Sequence, residues 1–424
     1  MPKIYKVRSQ KRITPFPNLK ARVKTPLPAT QDPRSSQRAI HNILNSEFSA
    51  VEEPLSPSTL GDLSNAILPI FRAANFQGVK DYSVIAPSTR LASLLLSHAS
   101  IQPILRTVLF HGPLIPLGEE DNEGKPLYEY PADRRPVLRN DVSMINAALD
   151  ELAEFVTFAF VKERSRGSAF TDPLKDPRPG NVQPKHLPGL CSETKLSKGL
   201  LDALAKATRE FRRTQDTPLL LTLRFNLAVD LVHEVCHALN LARDGHLESN
   251  DTEAFFPGAL IAELGFAVED ALFGGHYTML WDNDNAQDPD ALLRHLKAAG
   301  EVSGLAGMPV LWNWPCRWII CDYLSDDAAL WIRQANRADL PNKDIAWRIP
   351  VSELAKYFSM SFWSQGSPSL HLPRNIGFAF ACSSKGEKTP ANMTAADMKR
   401  YVSDECFLGR TKTIIRRGRA PDLN

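Results

Sequence analysis

His233, Glu234 and His237 stand in the order H-E-x-x-H within Val232-His233-Glu234-Val235-Cys236-His237-Ala238-Leu239. On a helix, two histidines four residues apart lie one turn apart on the same face, where both imidazoles can bind one metal ion. Glu234 follows the first histidine directly, so its carboxylate can reach a water on that ion and take its proton during attack on a carbonyl. This spacing points to zinc-dependent hydrolysis with Glu234 as the general base. The bland alternative is a core helix whose two histidines are satisfied by hydrogen bonds. Against it, Leu231, Val235, Cys236, Ala238 and Leu239 are all uncharged, as a buried metal-bearing helix requires, while Asp230 is expected to face solvent.

A catalytic zinc site takes three protein ligands and leaves the fourth position to water. The spacing H-E-x-x-H-x-x-G-x-x-H would need a glycine at position 240 and a histidine at position 243, and the chain has Asn240 and Arg243 there. His246 and His276 are remote candidates. Glu263 is the better one, because it lies in the apolar stretch Gly258 to Asp270, read as a helix, flanked by Ile261, Ala262, Leu264 and Phe266. A carboxylate in such surroundings is costly to bury without a cation or donors. Glu269 lies about 240 degrees further round that helix, which suits a partner behind a ligand or a solvated residue. Glu248, Asp251 and Glu253, in the stretch from Asp244 to Phe256, are competing carboxylates. His276 and Tyr277, after Gly274-Gly275, are candidates for stabilising an oxyanion or for closing a turn.

His233-Glu234-x-x-His237, followed 26 residues later by Glu263 in Ala-Glu-Leu-Gly-Phe-Ala, resembles the gluzincin metallopeptidases, whose third ligand is a glutamate on the following helix. The resemblance covers residues 190 to 275. It implies that His233, His237 and Glu263 bind zinc and that Glu234 is the general base. The wider pattern, including Glu253-Ala254-Phe255-Phe256 and Phe273-Gly274-Gly275, is also similar to uncharacterised fungal zincin-like proteins.

The elements that position these residues are expected to start with a strand over Leu190 to Leu196. Ser197 then caps a helix from Lys198 to Arg213, and Thr217-Pro218 opens a second helix that runs through the motif to about Ala242. A strand just ahead of this helical pair is placed to edge a substrate cleft, where a peptide could bind by strand addition. Upstream, Ser64 to Ala74 and Thr89 to Val108 have helical spacing interrupted by Pro69 and Pro103, and Asp141 to Phe160 reads as a helix. Lys162 to Gly189 carries Pro173, Pro177, Pro179, Pro184 and Pro188 and reads as one long loop. Downstream, the aromatic cluster Trp312 to Trp318 is expected to pack as structure, and Val351 to Trp363 fits an amphipathic helix.

At 424 residues, 43% apolar and 23% charged, the chain has an ordinary globular composition, with no run long enough for a membrane span. The basic start leads into no apolar segment, which points to a cytoplasmic or nuclear address or to an organellar presequence. Cys191, Cys236, Cys316, Cys321, Cys382 and Cys406 form no C-x-x-C pair, which suits a reducing compartment. Phosphate-cradling glycine motifs and a G-x-S-x-G elbow are absent from the sequence.

The expected organisation is a basic, Pro-rich disordered tail over 1–55, a helical N-terminal part over 56–188, a zincin-like core over 189–300, a helical C-terminal part over 301–408 and a basic tail over 409–424. The fold class is α+β: a mostly helical zincin-like metallopeptidase domain with a small sheet whose edge strand lines the active-site cleft. Residues 1 to 40 carry ten Lys or Arg against one acid, Asp32, and Arg410 to Arg419 carries five bases and no acid. The leading function is a zinc peptidase acting on a peptide or protein. The alternatives are an inactive zinc-binding interaction protein on the same scaffold and a nucleic-acid-associated protein positioned by its basic tails.

Overall fold

The computed structural model describes residues 60–120, 126–162, 169–174, 185–215, 217–244, 253–259, 261–281, 307–315, 343–374, 376–381 and 407–409. Both basic tails, together with His246, Glu248 and Asp251, lie outside the described residues. The chain is α+β, with helices around a four-stranded and a five-stranded sheet and a separate two-stranded hairpin.

The first helices are α1 (Ala86–Leu96), α2 (Gln102–Phe110) and α3 (Arg139–Leu152). The stretch read as Thr89 to Val108 is therefore two helices, each with proline in its first turn, Pro87 and Pro103, where the missing amide hydrogen costs nothing. Ser64 to Ala74 forms no α-helix; two single 3-10 turns occupy Pro69–Phe71 and Ala73–Asn75. The helix expected over Asp141 to Phe160 stops at Leu152. Val156–Val161 is instead a strand, because Val-Thr-Phe-Ala-Phe-Val favours an extended chain that pairs on both sides.

The strands in chain order are β1 (Phe76–Gln77), β2 (Ile115–Glu120), β3 (Pro126–Glu129), β4 (Val156–Val161), β5 (Ala169–Pro173) and β6 (Ser192–Ser197). The four-stranded sheet has the order β1-β4-β6-β5, with β4 and β6 parallel and β5 antiparallel to β6. The strand ahead of the helical pair, β6, lies inside the sheet. Among the described residues the edge is β5, in the middle of the stretch read as a loop, where Pro173 is tolerated at the last residue of an edge strand.

Ser197 ends β6 and accepts the amide of Leu200, starting α4 (Lys198–Thr214). Gln215, in the left-handed region, turns the chain into α5 (Pro218–Asp244). The Thr217 hydroxyl donates to the Gln215 carbonyl instead of capping α5. α5 is buried round most of its circumference: Leu220, Leu223, Phe225, Leu227, Leu231, Val232 and Val235 are all buried, and the polar residues gather mainly on the face that carries His233 and His237. A helix so widely buried belongs at the centre of a fold. It packs against α1, α2, α4, β5 and β6, and against α6 (Leu264–Phe273).

After α6 come β7 (His276–Trp281), β8 (Gly307–Trp312), β9 (Lys343–Arg348), α7 (Val351–Tyr357), α8 (Met360–Trp363), β10 (Ile376–Ala381) and β11 (Phe407–Gly409). The second sheet is antiparallel throughout, in the order β11-β10-β9-β8-β7. The C-terminal part expected to be helical is, among the described residues, mainly this sheet and two short helices. The single amphipathic helix expected over Val351 to Trp363 is broken between α7 and α8. One hydrophobic core, running from Ile70 to Leu372, joins side chains from 56–188, 189–300 and 301–408. No helix among the described residues is long and apolar enough to cross a membrane.

Candidate metal centre

The H-E-x-x-H residues occupy the C-terminal half of α5, and the helix phase sets the two imidazoles side by side, 4.9 Å between ring centroids. Glu263 comes to them from outside that helix. It is the residue before α6, not part of a helix over Gly258 to Asp270 as expected. Gly258 has a positive φ and Glu263 an extended backbone, φ −147, as an N-cap requires. Its Oε2 accepts the amide of Phe266 and caps α6, while Oε1 lies 3.0 Å from His233 Nε2 and 2.8 Å from His237 Nε2.

His233, His237 and Glu263 thus each offer one ligand atom, all within 4.8 Å of one another. Four-coordinate zinc with bonds of about 2.0 to 2.2 Å holds neighbouring donors a little over 3 Å apart, so only a slight spreading would seat it. The histidines are also held from behind. His233 Nδ1 lies 2.7 Å from Glu269 Oε1, and His237 Nδ1 lies 2.6 Å from Glu253 Oε1. A carboxylate behind Nδ1 keeps the hydrogen there and turns the Nε2 lone pair toward the shared centre, as metal-binding histidines require. The donor set fits a divalent cation.

Both outer carboxylates are built into the fold. Glu253 Oε2 accepts the amide of Leu264 at 2.7 Å, so Glu253 and Glu263 together take two of the free amides that open α6. Glu269 Oε2 accepts the Tyr277 amide at 2.9 Å and pairs with His276 Nδ1 at 2.8 Å. Glu234, Glu253 and Glu269 are each less than a tenth exposed. Four carboxylates beside three imidazoles is a costly set to bury unless a cation shares the charge.

The electrostatics follow from this crowding. Burial disfavours charge on His233 and His237, but Glu263 and the carboxylates behind the rings overcome it and raise both imidazoles well above their ordinary value. Burial likewise pushes Glu263 up, and the two histidines more than reverse it, so its carboxyl is held below the usual carboxylate range. Glu234 goes the other way. Burial raises its carboxyl, and the nearby histidines offset this only in part. Its Oε2 accepts the Thr171 hydroxyl at 2.8 Å.

Compared with protein-family models, with curated proteins and with solved structures, the chain shows no significant match.

Of the other residues considered from sequence, Glu253 and Glu269 stand behind the histidines rather than among the converging donors. Asn240 accepts the Tyr130 hydroxyl and Arg243 donates to the Leu109 carbonyl. Tyr277 closes no turn: it lies in β7, buried, with its ring 4.9 Å from Phe225 inside the core, which speaks against it as an oxyanion donor. Trp312 is wholly buried, whereas Trp314 is partly exposed and packs 4.8 Å from Phe266, whose ring lies 5.2 Å from His233.

Sequence reasoning missed three contributors. Thr171 lay in the supposed loop. Glu253 was weighed only as a rival ligand, although its apolar neighbours Ala254 and Phe255 carried the same signal of a buried acid that singled out Glu263. Gly265 was not singled out at all. A Cβ there would stand 2.4 Å from Cε1, Nδ1 and Nε2 of the His233 ring, so only glycine lets α6 approach this close.

Proposed function

We propose that this protein is a zinc-dependent peptidase that works in the gluzincin manner, on a zincin-like scaffold. The observation that carries the reading is the pair of carboxylates behind His233 and His237, which turns both Nε2 atoms toward Oε1 of Glu263. A zinc ion held by those three atoms would polarise a scissile carbonyl and lower the pKa of a water in its fourth position.

The chain's own residues supply the rest. Glu234 follows a ligand on the same helix, and burial raises the affinity of its carboxylate for a proton, which suits a general base. It accepts the proton of the attacking water and returns it to the leaving amine. Glu269 and Glu253 keep the imidazoles from turning. An extended peptide suits the site because β5 is the outer strand of its sheet among the described residues and brings Thr171 against Glu234.

The test pairs metal analysis with a broad peptide-library cleavage screen. One zinc per chain is expected, lost in His233→Ala and in Glu263→Ala. Cleavage is expected to fall by about a hundredfold to ten-thousandfold in Glu234→Gln, with zinc retained. Zinc-loaded protein that cleaves nothing would instead leave a binding protein on this scaffold, and protein that purifies without zinc and takes none up would remove the metal reading.

A further inference from the structure

We propose that Thr171 is a positioning residue for the general base, fixing which oxygen of Glu234 takes the proton; this rests on the reading of Glu234 given above. Thr171 sits at the middle of β5, directly opposite Thr194 on β6. Its Oγ1 lies within bonding range of three oxygens: Glu234 Oε2 at 2.8 Å, Thr194 Oγ1 at 2.9 Å and the Glu234 carbonyl at 3.3 Å. A hydroxyl has one proton to give. Hydrogen bonds to an ionised acceptor are the stronger ones, so Thr171 donates to the Glu234 carboxylate and accepts from Thr194.

The arrangement leaves the two oxygens of Glu234 unequal. Oε2 is occupied, and the bonds that described side chains make to Glu234 go to Oε2 and its carbonyl, none to Oε1. The holder is also rigid. Threonine is β-branched and stiff about its first side-chain bond, it stands on a paired strand, and the Thr194 behind it is fully buried. Glu234 has three side-chain torsions, and the bond from Thr171 restrains the last of them. With Oε2 tied to the sheet, Oε1 is the oxygen presented to the proton. Satisfying a buried carboxylate would stabilise the fold whichever oxygen were used; holding one oxygen toward the reaction affects turnover separately.

The experiment compares Thr171→Val, Thr171→Ser and Thr194→Val, with zinc content and thermal midpoint measured on each. The infrared carboxyl band of Glu234, identified by its loss in Glu234→Gln, supplies a readout independent of turnover. Thr171→Val is expected to shift this band and to lower kcat about tenfold to a hundredfold with KM nearly unchanged, as for a displaced catalytic group. Thr171→Ser is expected to restore the band and bring kcat back to within about threefold, because it keeps the donor and loses only the stiffness. Thr194→Val is expected to give a smaller loss of the same kind.

An unshifted band and full kcat in Thr171→Val would overturn the proposal. So would losses in both valine variants that are accounted for by missing zinc or a lowered midpoint, since the role would then be structural. If Glu234→Gln is itself fully active, the assignment of the base fails, whereas an inactive Glu234→Gln beside a fully active Thr171→Val removes only the role of Thr171.

Discussion

Each imidazole of the proposed centre is gripped through Nδ1 by a carboxylate that is itself tied to backbone amides, Glu253 to Leu264 and Glu269 to Tyr277. Removing that grip leaves the ligand atoms in place but frees the rings. Glu253→Gln and Glu269→Gln are each expected to weaken zinc binding by about tenfold to a hundredfold, read by competition with a chelator. Gly265→Ala is expected to do at least as much, because the added methyl would displace the His233 ring; unchanged affinity in that variant would show that α6 can shift to make room. The sequence showed which residues could ligate, since H-E-x-x-H spacing and a buried acid are local signals. It left Glu269 open between a partner behind a ligand and a solvated residue and gave Glu253 only as a rival ligand, because Glu253 and Glu269 reach the histidines across 16 and 36 residues of chain.

At the scale of elements, the helices with local punctuation were legible. Ser197 marks the start of α4 and Pro218 that of α5, because caps and prolines act within one turn. Ser197→Ala is expected to cost about 1 kcal/mol, seen as a lowered urea midpoint with an unchanged slope. What failed were segments whose neighbours decide them. Val156 to Val161 followed a helical pattern too closely to be separated from it, though its β-branched and aromatic residues carried a strand signal. Among the described residues, Ala169 to Pro173 is held as a strand by pairing with Ser192 to Leu196. Glu263 was placed inside a helix because the apolar run continues through it. The structure makes it a cap, since its carboxylate takes an amide that the helix itself leaves unpaired.

At the scale of the whole molecule, α5 joins everything: its first half packs in the core with Tyr277 and Tyr357, and its second half carries the site. Burial raises the phenols of both tyrosines above their ordinary pKa. The unfolded chain loses those protons first, so their contribution to stability is whole below about pH 10 and falls as pH rises toward the folded values. The tyrosines' share of the thermal midpoint should be constant up to about pH 10 and fall above it. Tyr277→Phe, which also deletes a buried hydroxyl with no partner among the described residues, should make that drop shallower; an equally steep decline would assign it to other groups. By itself, the sequence determined the chemistry available on α5 and the apolar character that puts this helix in the interior, because helix phase and hydrophobicity are properties of neighbouring residues. Only the tertiary structure decided which carboxylate joins the histidines, which ones hold them and which strand lies at the edge beside Glu234, because those pairings depend on how distant segments pack.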